Sequence, residues 1–309
     1  MVYLAKRLQA KKTYYYLVEN IPLGSGKRKQ LRAYLGNEKP SELILRHLMK
    51  QFEAQVEQEQ YKLHGFHYLT SDEIKETDKI NREFWARYNS VNEVVQEQFD
   101  ENFVITFVHN TNSIEGSTLT PKEVALLLTE NIAPNKPLDD VLEAKAGQKT
   151  LNFVKEHTGN FNEEFLLKIH EMYFKETKPS IAGAYKKYAN YIRTSAFQLT
   201  APELVPKELN DYFNEYEKLS KQLHPLELAA WAHWKLVRIH PFQDGNGRAA
   251  RIVMNYILHR QGYGMIDIQT KEKQVYFKTL EKCNYNNNAR ALAVRLVRRF
   301  KKQYQNAFK

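Results

Sequence analysis

The spacing of apolar residues changes period once along the chain, near residue 41. Before that point short apolar and aromatic runs are broken by charge and turn residues. Val2–Leu8 and Thr13–Val18 flank Gln9-Ala10-Lys11-Lys12, Gly24-Ser25-Gly26 is a turn, and Gln30–Leu35 precedes Gly36-Asn37. With Tyr14, Tyr15 and Tyr16 favouring extended backbone, residues 1–40 read as a small β module of three strands. From Ser41 the period is helical. Leu45, Leu48, Met49, Phe52, Val56 and Leu63 mark one long amphipathic helix. Ile80, Phe84, Tyr88, Val91 and Val95 mark another, opening at Leu69-Thr70-Ser71-Asp72-Glu73. Residues 41–98 therefore read as a helical arm, or as a surface for a second copy of the chain.

Residues 99–309 continue as helices around one short extended segment, so the chain is mainly α. Phe103, Val104, Phe107 and Val108 start a helix that Gly116 caps. Thr120-Pro121-Lys122-Glu123 is a capping box with proline at the first helical position. Helices follow over 138–157 and 162–175, the second placing His170 as a surface or core histidine. Gly183 ends that pattern. Tyr185, Tyr188, Tyr191 and Ile192, with Leu199 and Pro202 beyond, predict a short hairpin. Pro206 and Pro225 suit helix first turns, and Leu228, Trp231, Ala232, Leu236 and Ile239 form a core stripe that ends at His240. Ala249, Ile252, Val253, Tyr256 and Ile257 then give one face of a helix that stops at Gly262. Ala289, Leu292, Ala293, Leu296, Val297 and Phe300 give the last.

Composition narrows the class. The 309 residues are 42% hydrophobic and 27% charged, ordinary for a soluble protein with room for a large core. A single cysteine, Cys283, excludes an intramolecular disulfide framework and fits the reducing cytoplasm. No apolar run is long enough to span a membrane, and no leader pattern opens the sequence. The net charge of +10 sits at the ends. Residues 1–40 hold nine Lys/Arg against Glu19 and Glu38, and residues 289–309 hold seven basic residues and no acid, leaving an acidic middle. Basic charge interleaved with tyrosine in residues 1–40 suits nucleic acid, and a solvated accessory sheet accounts for it as well. The basic face of the last helix is either a solvated surface or a site for nucleic acid or an acidic partner.

The chemistry concentrates in Ile239-His240-Pro241-Phe242-Gln243-Asp244-Gly245-Asn246-Gly247-Arg248-Ala249-Ala250-Arg251. Gly245-Asn246-Gly247 opens a helix, where converging backbone N–H groups and the helix dipole attract an anion. Arg248 and Arg251, three apart, add a charged clamp, so this stretch reads as a phosphate site. Asp244 beside it is an oxygen ligand suited to magnesium, and His240 a general base near neutral pH. Together they point to transfer of a phosphate-containing group to a hydroxyl.

The same stretch resembles the full signature of Fic-domain proteins, His-Pro-Phe-x-Asp-Gly-Asn-Gly-Arg-x-x-Arg, and the likeness covers roughly residues 100–300. It implies a helical Fic core with a short hairpin flap, and AMP transfer from ATP to a Ser, Thr or Tyr hydroxyl of a target protein. By that resemblance His240 activates the hydroxyl and Asp244 holds Mg2+ on the α- and β-phosphates. Gly245, Asn246 and Gly247 cradle the phosphates, and Arg248 and Arg251 complete the clamp, Arg251 at the γ-phosphate. Thr111-Asn112-Ser113-Ile114-Glu115-Gly116 is similar to the family's inhibitory motif, which implies that Glu115 holds Arg251 away from that phosphate. The flap near 185–195, through Lys186, Tyr188, Asn190, Ile192 and Thr194, would pair with a strand of the target or of another copy of the enzyme itself. Tyr276-Phe277-Lys278-Thr279-Leu280-Glu281-Lys282-Cys283-Asn284 resembles the family's Tyr-Tyr-x-x-Leu-Glu-x-x-Asn segment and would bring Phe277 and Asn284 to the adenine. The family's next Gly-Asp and Arg-Pro-Phe are absent, and Asn286-Asn287-Asn288 stand there instead. The resemblance leaves two rivals: removal of AMP in the same site, with Glu115 serving water, or a nucleic-acid-binding regulator with a slow Fic site.

Overall fold

The computed structural model describes residues 2–9, 12–24, 27–63, 68–190 and 199–308. Contacts divide the chain into two compact units, Met1–Phe66 with Lys221–Leu223, and His67–Ser220 with His224–Lys309. The boundary falls inside the expected 41–98 arm, so its second helix belongs to the larger unit.

The smaller unit is an antiparallel sheet of β1 (Tyr3–Gln9), β2 (Lys12–Gly24) and β3 (Lys27–Gly36), in that order, followed by α1 (Glu42–Leu63). The register pairs Leu4 with Leu17 and Leu17 with Ala33. Because successive strand residues point to opposite faces, Leu4, Leu17, Ile21, Leu31 and Ala33 share one face. Phe52 and Val56 of α1 close a core against it. The other face carries Tyr16 and Tyr34, opposite one another with ring centroids 5.4 Å apart.

The larger unit contains α2 (Ser71–Tyr88), α3 (Glu93–Glu115), α4 (Pro121–Thr129), α5 (Leu138–Glu156), α6 (Glu163–Phe174), α7 (Val205–Leu219), α8 (Pro225–Ile239), α9 (Asn246–Arg260), α10 (Lys273–Asn286) and α11 (Arg290–Tyr304). Local chemistry sets several starts. Thr70 and Thr120 each form a reciprocal capping box, with Glu73 and Glu123, and Pro206 and Pro225 stand in helix first turns. Phe84 of α2 packs on Phe99, Tyr304 and Phe308, which ties α2 to α3 and α11. Buried Glu227 accepts the N–H groups of Tyr68 and Leu69, each at 2.7 Å, and so fixes the approach to α2.

Helix α9 is the centre of this unit. Every residue from Arg248 to Leu258 is buried, against α3, α5, α6 and α8. The one-faced pattern read from Ala249, Ile252, Val253, Tyr256 and Ile257 understates this. Asn255 is tolerated on the remaining surface because its amide accepts from Ile266 N at 2.7 Å and donates to Ile266 O at 3.0 Å. No helix among the described residues is long and apolar enough to cross a membrane.

The hairpin expected after Gly183 is not seen among the described residues. Residues 184–190 and 199–201 contain no strand, and Tyr191, Ile192 and Thr194 lie outside the described residues. The backbone donors that a strand would use are spent elsewhere: Lys186 N on Pro241 O at 2.9 Å and Tyr188 N on Gln243 Oε1 at 3.3 Å.

Candidate active site

His240 is the residue that stops α8. It takes a left-handed conformation, φ 54° and ψ 58°, with its N–H on Leu236 O. A non-glycine residue there is uncommon and turns the side chain out of the helical path. Its Nδ1 lies 3.1 Å from Val237 O. A carbonyl can only accept, so Nδ1 carries the proton and Nε2 keeps its lone pair. Burial pushes the ring's pKa down to about 4, against the opposing pull of Val237 O, Glu115 and Asp244 and with help from Lys186. The imidazole is therefore neutral at pH 7 and ready to accept a proton.

The loop after it is held from both sides. Phe242 is fully buried and stacks on His170, centroids 3.7 Å apart and planes within 7°. His170 Nδ1 accepts Gly183 N at 3.0 Å, so its Nε2–H donates to Asp244 O at 3.0 Å. Burial keeps His170 neutral, its pKa also near 4. Asn246 brackets the same loop, accepting Phe242 N and donating to Phe242 O, both at 2.8 Å. Its side chain is thus committed to the protein and only its backbone faces an anion. Gly245, at φ 80°, stands where an added Cβ would lie 2.2 Å from the Phe174 ring. It opens α9 with no side-chain cap, and the first turn's N–H groups remain available to a ligand.

The two arginines each meet a glutamate. Arg248 is buried, pairs closely with Glu143 of α5, and lies 4.5 Å over the Phe174 ring. Arg251, 1% exposed, donates from Nε to Thr111 Oγ1 at 2.8 Å and from Nη2 to Thr111 O at 3.0 Å and Glu115 Oε1 at 2.7 Å. Its Nη1 is buried without a partner. Glu115 is the last residue of α3, and Gly116 follows it at φ 114°. Burial would raise the Glu115 carboxyl, yet Arg251 outweighs this and holds it below its ordinary range. The contact is through one oxygen. Gly247 makes room for it, since a Cβ there would fall 2.4 Å from Glu115 Oε1.

Asp244 is held by a residue with no signal in the sequence pattern. Lys178 Nζ sits 2.7 Å from Asp244 Oδ2 and 3.1 Å from Glu143 Oε1. Gly245 N takes the other oxygen at 2.6 Å. Burial would raise the Asp244 carboxyl, and Lys178 with Arg248 reverses that and keeps it ionised. Among the described residues no three His, Cys, Asp or Glu side chains gather to hold a metal. One ionised, 46% exposed carboxylate beside an uncapped helix start still fits magnesium, which keeps several waters and takes other ligands from phosphates.

Phe277 and Asn284 lie on α10, seven residues apart and so on one face. Phe277 is 40% exposed, and Asn284 Oδ1 accepts Trp234 Nε1 at 2.8 Å. The segment before residues 191–198 is tied to the loop after His240: Asn190 Nδ2 donates to Gln243 O at 2.9 Å and Phe242 O at 3.2 Å. Tyr188 is 74% exposed there.

Residues 160–258 match the model of the Fic/DOC family. The chain is 32% identical over 188 residues to a protein adenylyltransferase Fic of Nematostella vectensis, covering 58% of this chain and 43% of that protein. A protein adenylyltransferase fic-1 of Caenorhabditis elegans is 31% identical over 188 residues, covering 58% and 36%. The chain thus spans less than half the length of these curated relatives. Among solved structures, a Fic domain-containing signaling protein of Bacteroides thetaiotaomicron superposes with a TM-score of 0.68 at 27% identity, over 74% of this chain and 96% of that one. Fic-1 of C. elegans shares the fold, with a TM-score of 0.66 at 21% identity over 85% and 74%.

Proposed function

We propose, on the premise that residues 160–258 form a Fic domain, that this chain moves AMP from ATP to a Ser, Thr or Tyr hydroxyl of a protein and is restrained at rest by Glu115. One observation carries the reading: a neutral His240, with Nε2 unprotonated, stands beside the uncapped start of α9. The relatives named as protein adenylyltransferases support the same chemistry.

The acceptor oxygen bonds to the α-phosphorus while its proton passes to His240 Nε2. The bond from that phosphorus to the α,β-bridging oxygen breaks, and pyrophosphate leaves. The N–H groups of the first turn of α9 and the buried cation Arg248 hold the phosphate oxygens. Magnesium, held by Asp244 and phosphate oxygens, would neutralise charge on the departing group. Arg251 is the point of control. While Nη2 serves Glu115, the guanidinium cannot give its full fork to the γ-phosphate, and a misplaced phosphate chain costs on the order of 100-fold in rate. Tyr185–Asn190 leads to the segment where a protein strand would dock, and the acceptor can lie on a second copy of the chain. Buried, unpaired Cys283 suits a cytoplasmic enzyme.

A second reading has its own observation. Glu115 is 32% exposed and binds Arg251 through Oε1 alone, so Oε2 is free to orient water for the reverse task, hydrolysis of AMP from a modified hydroxyl. Intact-mass spectrometry after incubation with Mg·ATP tests the principal reading. A shift by one AMP on the chain or on an added protein is expected, and His240→Ala should slow it about 10²–10⁴-fold while ATP still binds. Transfer by His240→Ala at the wild-type rate would remove His240 from the mechanism.

A further inference from the structure

The N-terminal sheet packs one of its faces on α1. The register Arg7↔Tyr14, Tyr16↔Tyr34, Val18↔Arg32 and Pro22↔Arg28 places three arginines and three tyrosines together on the face turned away from Phe52 and Val56. The arginines are exposed and form no ion pair among the described residues. Glu19, the carboxylate within these strands, pairs with Leu31 and so belongs to the other face. Tyr14 and Tyr16 lean on Tyr34, with ring centroids at 6.2 and 5.4 Å, and Tyr34 stays 59% exposed. Gln30 Oε1 accepts Arg32 Nε at 2.6 Å, which steadies that guanidinium and leaves its terminal nitrogens free.

We infer that this face docks in the major groove of duplex DNA. An array of guanidinium groups without a carboxylate calls for a polyanion, and arginine forks match both phosphates and the guanine edge. The outer strands of this ribbon lie roughly 10 Å apart, axis to axis at about 4.8 Å spacing, so arginines on β1 and β3 can reach the two walls of a B-form major groove of about 12 Å. The deep, narrow major groove of A-form RNA does not admit such a ribbon. Val18, the large aliphatic residue on this face, is 4% exposed, so the face offers a partner arginine and tyrosine and no aliphatic patch. The inference is independent of AMP transfer, since it uses none of the residues from Thr111 to Asn284.

The test is fluorescence anisotropy of the full chain with a labelled 20-base-pair mixed-sequence DNA. Three phosphate contacts predict a salt slope near −3 and roughly 40-fold weaker binding at 200 mM than at 50 mM salt. The Arg7→Ala/Arg28→Ala/Arg32→Ala variant should bind at least tenfold more weakly at 50 mM and lose most of that slope. If circular dichroism shows this variant misfolded, Arg28→Ala alone decides, with a slope reduced by about 1. Four results would each overturn the inference: no binding at 50 mM salt; binding unchanged by the arginine variants; duplex RNA bound as tightly as DNA; or poly-glutamate displacing DNA at equal charge, which points to an acidic protein. Loss of binding in Arg298→Ala/Lys302→Ala, with the sheet intact, would assign DNA to α11 and equally overturn it.

Discussion

Two arginines three residues apart on α9 each meet a glutamate, and the two pairs are built for different ends. Arg248 and Glu143 are both buried, α5 supplies the acid from its middle, and Lys178 braces the carboxylate from the far side. Arg251 is as deeply buried, yet its acid ends α3, is 32% exposed, and is followed by a left-handed glycine. Arg251 would also keep Thr111 Oγ1 and O if Glu115 left, whereas Arg248 would keep only a distant Asp244 at 3.7 Å. On the proposed reading, the same ion pair acts as a strut where both partners are enclosed, and as a latch where one sits at a helix end with its replacement bonds in place.

The comparison breaks most sharply at Glu143. Glu143→Ala should leave Arg248 buried and uncompensated and cost about 3–5 kcal/mol in chemical denaturation. Glu115→Ala should stay within about 1 kcal/mol of wild type, as expected for a partly exposed pair. Equal losses in the two variants would erase the distinction between strut and latch.

Acid separates the two sides next. His170, His240 and His233, the last fully buried in α8 with its Nε2 2.9 Å from Tyr276 Oη, have pKa values near 4, 4 and 3 in the folded chain, each pushed down by burial, against about 6.5 when unfolded. Unfolded chains therefore bind more protons below that value. Stability from these rings is full above about pH 6.5 and is lost as pH falls toward 4, at up to about 1.4 kcal/mol per pH unit for each. Thermal unfolding between pH 7 and 4.5 should show a steep decline, and His233→Phe should flatten it. A pH-independent midpoint would mean that the rings are not held neutral.

A smaller effect is expected at Lys178, which lies between the strut and Asp244. Its ammonium sits on Asp244 Oδ2, so a divalent ion bound there as proposed would have to displace it toward Glu143. Lys178→Met should tighten Mn2+ binding about tenfold, read by electron paramagnetic resonance with a non-hydrolysable ATP analogue present. Weaker binding in the variant would make Lys178 a support of the site and not a competitor.

Much of this was legible in the sequence, unevenly. Periodicity located the helices, and the stretch from His240 to Arg251 could be read as a candidate phosphate site because its parts adjoin in sequence. Glu115 stands 136 residues before Arg251 and entered only through the likeness of Thr111–Gly116 to an inhibitory motif. Glu143 and Lys178 left no trace: each is one charge among many, and only packing brings them to Arg248 and Asp244. Asn246 reads as part of an anion nest, while its amide in fact staples the Phe242 loop. Side-chain bonds across a turn are invisible to spacing when backbone and side chain of one residue serve different partners. Most of the hairpin expected after Gly183 falls on residues 191–198, outside the described residues; before them, Lys186 N and Tyr188 N bond to loop residues 241 and 243.

The latch itself is tested most directly by Glu115→Gly. AMP transfer from Mg·ATP, followed by intact mass, should rise about 5–150-fold over wild type, corresponding to a latch of about 1–3 kcal/mol, with ATP bound more tightly in calorimetry. Unchanged transfer and unchanged ATP affinity would show that the Glu115–Arg251 pair does not restrain the enzyme.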